Sequence, residues 1–112
     1  MSLPLLIVGG RNEFKPDPDL KLIEPENNSI GIKEIRELEK FLQRKPYHDP
    51  VKTVVITQAD KLTLPAQQAL LKTLEEPPAN SQIILLCPNE NLLLPTIVSR
   101  CQIIRLPSKS EI

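Results

Sequence analysis

Aromatic side chains are scarce: 112 residues include two phenylalanines, one tyrosine and no tryptophan. Phe14, Phe41 and Tyr47 do not cluster along the chain, so a platform for stacking unpaired bases is not expected. Glycine is nearly as rare, with only Gly9, Gly10 and Gly31. None of them opens a GxxxxGK[ST] pattern, which removes the amide cradle and lysine that an NTP site needs. Two cysteines, Cys87 and Cys101, and the single His48 form neither a CxxC pair nor a four-ligand zinc set. Both cysteines read as small core or strand-end residues, and neither metal nor cofactor is expected. No apolar run approaches the ~20 residues of a membrane span. The start MSLPLLIVGG lacks the basic region of a signal peptide, so a reduced, cytoplasmic setting is expected. Charge of neither sign dominates. Fourteen Lys and Arg balance fourteen Asp and Glu, which argues against nucleic-acid binding by bulk electrostatics and leaves a local patch open.

What the chain does have is punctuation. Twelve prolines suggest stiff, sharply ended connections within a single domain, 1–112. Leu3 to Val8 is a short apolar run closed by Gly9-Gly10, and residues 20–23 form a second strand before the Asn27-Asn28 turn signal. Ser29 reads as the N-cap of a helix to about Arg44, with Ile32, Ile35, Leu38 and Leu42 on its apolar face. The β-branched run from Thr53 to Thr57 fits a strand buried on both faces. Thr63 then caps a helix with Pro65 in its first turn and Pro77-Pro78 at its end. A strand over 82–87, a short helical segment over 92–99 and a last strand over 102–106 complete an α/β chain. Strands alternating with helices imply a parallel sheet with right-handed crossovers.

An ATPase of this class carries acidic residues where its central strand ends. Here those positions read Thr57, Gln58, Ala59 and Asp60. Thr57 and Gln58 carry no charge and cannot take a proton from water, and a lone Asp60 suits a turn or cap. No Ser–His–Asp or Cys–His arrangement assembles around one histidine. The shape of the fold is written here without the chemistry.

Three stretches are specific: LKLIEPENNSIGIKEIRELEKFL, VVITQADKLTLPAQQALLKTLEEPP and LLPTIVSRCQIIRL. Together they resemble the bacterial DNA polymerase III clamp-loader ATPase family, most closely its delta prime branch and next its gamma/tau branch. The resemblance spans about Leu20 to Leu106. It implies an AAA+ α/β core with a five-stranded parallel sheet ordered 5-1-4-3-2, within a ring that opens the sliding clamp and places it on primed DNA. The family's phosphate loop and its helix, its four-cysteine zinc insertion, its helical lid and its collar have no counterpart in the sequence. The chain therefore reads as a truncated core with degenerate ATPase motifs, and Cys87 stands where a polar threonine is common.

By the same resemblance, Arg100, flanked by Ser99 and Cys101, would project across a subunit boundary toward a neighbour's ATP. A guanidinium suits that task because it is always charged and its planar fork matches phosphate oxygens. The local alternative is an arginine that caps its helix or pairs with a nearby carboxylate. Lys33, Arg36, Lys40 and Arg44 recur at spacings of three and four and are candidate DNA contacts. Interleaved Glu34, Glu37 and Glu39 offer the other account, ion pairing on a solvated helix face. The expected function is a non-enzymatic, delta prime-like part of the clamp loader in DNA replication. Its expected partners are gamma/tau, delta and the sliding clamp, with primed DNA touched weakly or indirectly. A small DNA-binding module and an orphaned remnant are the alternatives.

Overall fold

The computed structural model describes residues 3–9 and 14–106. Five strands, β1 (Leu5–Val8), β2 (Leu20–Ile23), β3 (Lys52–Ile56), β4 (Ser81–Cys87) and β5 (Gln102–Arg105), form one sheet. Its order is β2-β3-β4-β1-β5, the expected one, and every pairing is parallel. β3 and β4 lie at its centre, in a register that sets Val54 beside Ile83 and Val55 beside Ile84. Their apolar runs are continuous because both sheet faces are shielded there. Val54, Val55, Ile56, Ile83, Ile84 and Leu85 are all buried.

Three helices, α1 (Ile32–Gln43), α2 (Leu64–Glu75) and α3 (Pro95–Arg100), pack on one face of this sheet. They cover Leu6, Ile23, Val54, Ile56, Ile83 and Leu85 with Ile35, Leu38, Leu42, Ala66, Leu70, Leu74 and Ile97. The α2 boundaries follow the sequence: the Thr63 hydroxyl accepts the Ala66 N–H at 3.2 Å, Pro65 sits in the first turn, and the helix stops before Pro77-Pro78.

The start of α1 differs from expectation. Asn27 and Asn28 both take positive φ, so the chain reverses and Ser29 pairs with Glu26 through two backbone hydrogen bonds. The turn thus consumes Ser29. Gly31 becomes the N-cap, and the Glu34 carboxylate accepts its N–H at 2.8 Å. Ile32, expected on the buried stripe, is the first helical residue and stays exposed, while Ile30 fills the core position ahead of it. The remaining differences are at element ends. β3, β4 and α3 begin or end one to three residues from the expected bounds, and a 3-10 turn (Glu90–Leu92) precedes α3.

The opposite face is thinly covered. Val55, Ile84 and Leu86 are buried there, with Leu5, Ile7, Phe14, Leu20 and Leu22 partly buried around them. Among the described residues no helix lies on this side. Handedness explains the asymmetry. The connections from β2 to β3, β3 to β4 and β4 to β5 all step across the sheet in one direction, so right-handed crossovers put their helices on one face. Only the passage from β1 to β2 steps the other way. That passage leaves Val8 and enters Leu20 without a helix among its described residues.

Candidate functional site

In open α/β sheets, ligands bind beyond the carboxyl ends of the strands, where strand order reverses. Here that point is the end of β1, between β4 and β5. Gly9 turns there with φ of +87° and donates its N–H to the Cys87 carbonyl at 3.1 Å. A Cβ on Gly9 would meet the Leu106 carbonyl oxygen at 3.3 Å. The strand-end turn alone therefore accounts for this glycine. Gly10 lies outside the described residues.

The end of β3 departs from an acidic metal site in the same way. Thr57 is buried and sends both its N–H and its hydroxyl to the Ile23 carbonyl, at 2.9 and 3.3 Å. Gln58 adopts the left-handed conformation and points the chain into a 3-10 turn (Ala59–Lys61). Ala59 is fully buried. Asp60 is the single carboxylate of the four: one oxygen lies 4.0 Å from the Lys61 ammonium and the other is buried without a hydrogen-bond partner among the described residues. The Cys87 thiol sits close by and donates to the Asn89 carbonyl at 3.0 Å. Burial pushes that thiol up, and the Asp60 and Glu90 carboxylates push the same way, so Cys87 remains protonated. Among the described residues no cluster of His, Cys, Asp and Glu has the makings of a metal site. Likewise no helix is long and apolar enough to cross a membrane.

Arg100 ends α3 with an exposed side chain, but it is not alone. Its guanidinium donates to the Glu75 carboxylate at 3.3 Å, tying the tip of α3 to the last residue of α2. The local alternative, a pair with a nearby carboxylate, is thus present: the LEEPP segment brings Glu75 to the same rim. On either side the backbone is fixed. The Ser99 hydroxyl donates to the Thr96 carbonyl at 3.0 Å, and the Cys101 N–H caps the helix on Val98. Burial raises the Cys101 thiol to about 11, which makes it a packing group rather than a nucleophile.

The four cations of α1 are all exposed, yet they do not act as one row. Lys33 lies in a hollow with Lys21 and the carboxylates of Glu24, Glu26, Glu34 and Glu37. Lys40 and Arg44 instead line a groove of about 180 Å³ with Lys21, Phe41 and Glu37. Arg36 lines neither. None of these cations makes an ion pair within 4 Å among the described residues, so the interleaved glutamates do not neutralise them by direct contact. Glu39 is committed elsewhere, accepting the Thr73 hydroxyl at 2.8 Å.

Two organising residues were not legible in the sequence. Asp19 is buried and its carboxylate accepts the N–H groups of Tyr47, His48 and Asp49 at 2.5, 2.6 and 2.8 Å. Burial acts to raise its pKa, but these three donors and the Lys52 ammonium outweigh it and hold the carboxyl at about 2. Gln67 donates to the Leu62 carbonyl and accepts the Leu94 N–H at 2.8 Å, locking α2 to the segment before α3. The partners of Asp19 lie about thirty residues away, so no local pattern announces it. Gln67 is a polar residue beside the apolar stripe of α2, the one signal its sequence offers.

Comparison with known proteins agrees with this geometry. The family model described as DNA polymerase III, delta subunit, matches residues 11–110. DNA polymerase III subunit delta′ of Bacillus subtilis is 36% identical over 92 residues, which is 82% of this chain and 28% of that protein. The Escherichia coli subunit delta′ is 39% identical over 88 residues, 77% of this chain and 26% of its own length. The chain thus spans under a third of the curated relatives it matches. Among solved structures, a DNA polymerase III gamma subunit-related protein of Thermotoga maritima superposes with a TM-score of 0.85 at 31% identity, over 97% of this chain and 42% of its own.

Proposed function

The chain belongs to the DNA polymerase III delta subunit family, and from that membership we propose a non-catalytic, delta prime-like clamp-loader domain that works in the cytoplasm through contacts with other subunits. The observation that carries this reading is the end of β1. The chain turns at Gly9 and reaches β2 with no helix among its described residues, and β3 ends in Thr57-Gln58-Ala59-Asp60. A nucleotide held in cis would need the helix N-terminus and the paired carboxylates that such an arrangement lacks. Gamma/tau and delta subunits are the partners, and the sliding clamp is the object they act on together.

Arg100 is the residue for work in trans. It stands exposed at the tip of α3, tied among the described residues only to the exposed Glu75 carboxylate, which a phosphate can displace. A trans-acting arginine contributes on the order of 10³–10⁵ in the GTPase cases. The test has two parts. Pull-down from native lysate should recover gamma/tau or delta subunits, and titration with Mg-ATP should give no saturable sub-millimolar binding. In the complex, Arg100→Ala should abolish stimulation of the partner's hydrolysis, and Arg100→Lys should restore little of it. Saturable Mg-ATP binding by this chain alone would overturn the non-catalytic reading.

A further inference from the structure

The sheet has two edges, and the fold guards them differently. At β2, Leu20 exchanges two backbone hydrogen bonds with Asp17, at 3.0 and 3.1 Å, so the chain itself closes part of that edge. At β5 nothing comparable is present among the described residues. Gln102 donates to the Pro4 carbonyl at 2.8 Å and Leu106 to the Val8 carbonyl at 2.9 Å, both toward β1. Alternation then turns the N–H and C=O groups of Ile103 and Arg105 outward, away from the sheet. Charge commonly guards such an edge, and Arg105 is the charge on this strand. Its guanidinium is paired with the Glu90 carboxylate, so that guard is neutralised.

The open window has fixed ends. Cys101 spends its N–H on the Val98 carbonyl at 3.2 Å, and Pro107 has no N–H to offer. The donors at 103 and 105 remain, placed symmetrically about Ile104. Ile103 packs on the main cluster under the helices, so Ile104 and Leu106 belong to the opposite face, where they are exposed at 37% and 45%. We propose that β5 pairs antiparallel with β5 of a second copy of this chain, about a two-fold axis at Ile104. Ile103 of each copy then exchanges both hydrogen bonds with Arg105 of the other, which meets every outward group of the window. Ile104 stands opposite its own counterpart, with Cα atoms about 4.5 Å apart, and Leu106 faces Gln102. Centring the axis on 103 would set an outward carbonyl against the spent Cys101 N–H. Centring it on 105 would set one against Pro107 and oppose two arginines directly, an unfavourable pairing. A longer foreign strand would run past both ends of the window, whereas a second copy brings one of equal length. The pairing does not rest on the clamp-loader reading.

Sedimentation velocity over a concentration series tests the pairing, and the average mass should rise from monomer toward dimer. The interface is small, so the dimer should dissociate on dilution. Arg105→Pro removes an outward donor and no bond to β1, and it should hold the chain monomeric. Arg105→Ala loses the same ion pair but keeps the N–H, and it should still dimerise. Ile104→Lys sets two ammonium groups against each other and should also give monomer. Thermal melting certifies each variant; where Arg105→Pro does not fold, Ile104→Lys and cysteine trapping decide. Under oxidising conditions Ile104→Cys should form a disulfide-linked dimer, with wild type as the blank for Cys87 and Cys101. Gln102→Cys alone should not, because it faces Leu106, but a mixture of Gln102→Cys and Leu106→Cys should cross-link. A wild-type chain that stays monomeric at every concentration overturns the inference. So does a dimer that survives in folded Arg105→Pro or Ile104→Lys, or equal cross-linking by Gln102→Cys and Ile104→Cys alone. A monomer that instead takes up an unrelated extended peptide along β5 would overturn it in favour of a foreign strand.

Discussion

The two faces of the sheet differ more than any other pair of regions in this molecule. One is roofed by three helices and holds almost all of the fully buried side chains; the other has a small cluster around Val55, Ile84 and Leu86, closed in part by Phe14. The thin face is where the crossover from β1 to β2 belongs by handedness. In a nucleotide-binding α/β protein, the helix of that crossover performs two jobs: it covers the sheet and aims its N-terminal amides at phosphate. Among the described residues of this chain that passage holds no helix to do either job. Among the described residues, the thin cover of this face and the lack of a helix N-terminus at the end of β1 are one structural feature.

The comparison breaks most sharply under truncation on the roofed side. Leu70 on α2 is fully buried in the main cluster, and Leu70→Ala should cost about 2–5 kcal/mol. Chemical denaturation should show the midpoint falling with little change in slope. On the thin side, Ile7→Ala removes a side chain that is only partly buried, and a loss of about 1 kcal/mol is expected. Equal losses at the two positions would mean that the faces contribute alike and that the asymmetry has no energetic meaning.

A third effect appears only in acid. The Asp19 carboxyl is held at about 2, below the 3.8 of a free aspartate. A carboxylate depressed on folding stabilises the native state in full above its unfolded pKa, and that contribution fades as pH falls through about 4 toward 2. Wild type should therefore lose stability between pH 5 and pH 2 in part through this group, because the donors at 47–49 lose their anion. Asp19→Asn should be less stable at neutral pH and show a shallower acid decline. Parallel acid profiles for the two proteins would remove Asp19 from the account.

How much of this was legible in the sequence follows the range of the forces involved. The β-branched run of β3, the proline stops and the Thr63 cap are local, and they located the sheet and α2 closely. Ser29 was misassigned because two local signals competed for it, and the Asn27-Asn28 turn prevailed over the cap. The site was half legible. Thr57 to Asp60 could be read as lacking a carboxylate pair from residue type alone. The split of the α1 cations between an acidic hollow and a cationic groove depended on Lys21 and Glu24 of a different element. Helical spacing carries no information about which strand edge lies opposite.

The smallest expected effect separates the two readings of Arg100. Its pair with Glu75 joins two helices at the rim of the roofed face, and both side chains are substantially exposed, at 53% and 42%. In such a setting the Coulomb gain is screened by water and set against the entropy of two long side chains, so the pair should contribute about 0–1 kcal/mol. Glu75→Gln, Arg100→Gln and the double variant form a cycle whose coupling should fall in that range and shrink further with added salt. A coupling that small leaves Arg100 free to exchange Glu75 for an anion on another chain, since the exchange then costs the fold almost nothing. A coupling well above 1.5 kcal/mol that survives high salt would make the pair a structural tie between α2 and α3. In that case Arg100 would be held by its own domain, and the trans-acting role would need a partner able to break a strong bond rather than a weak one.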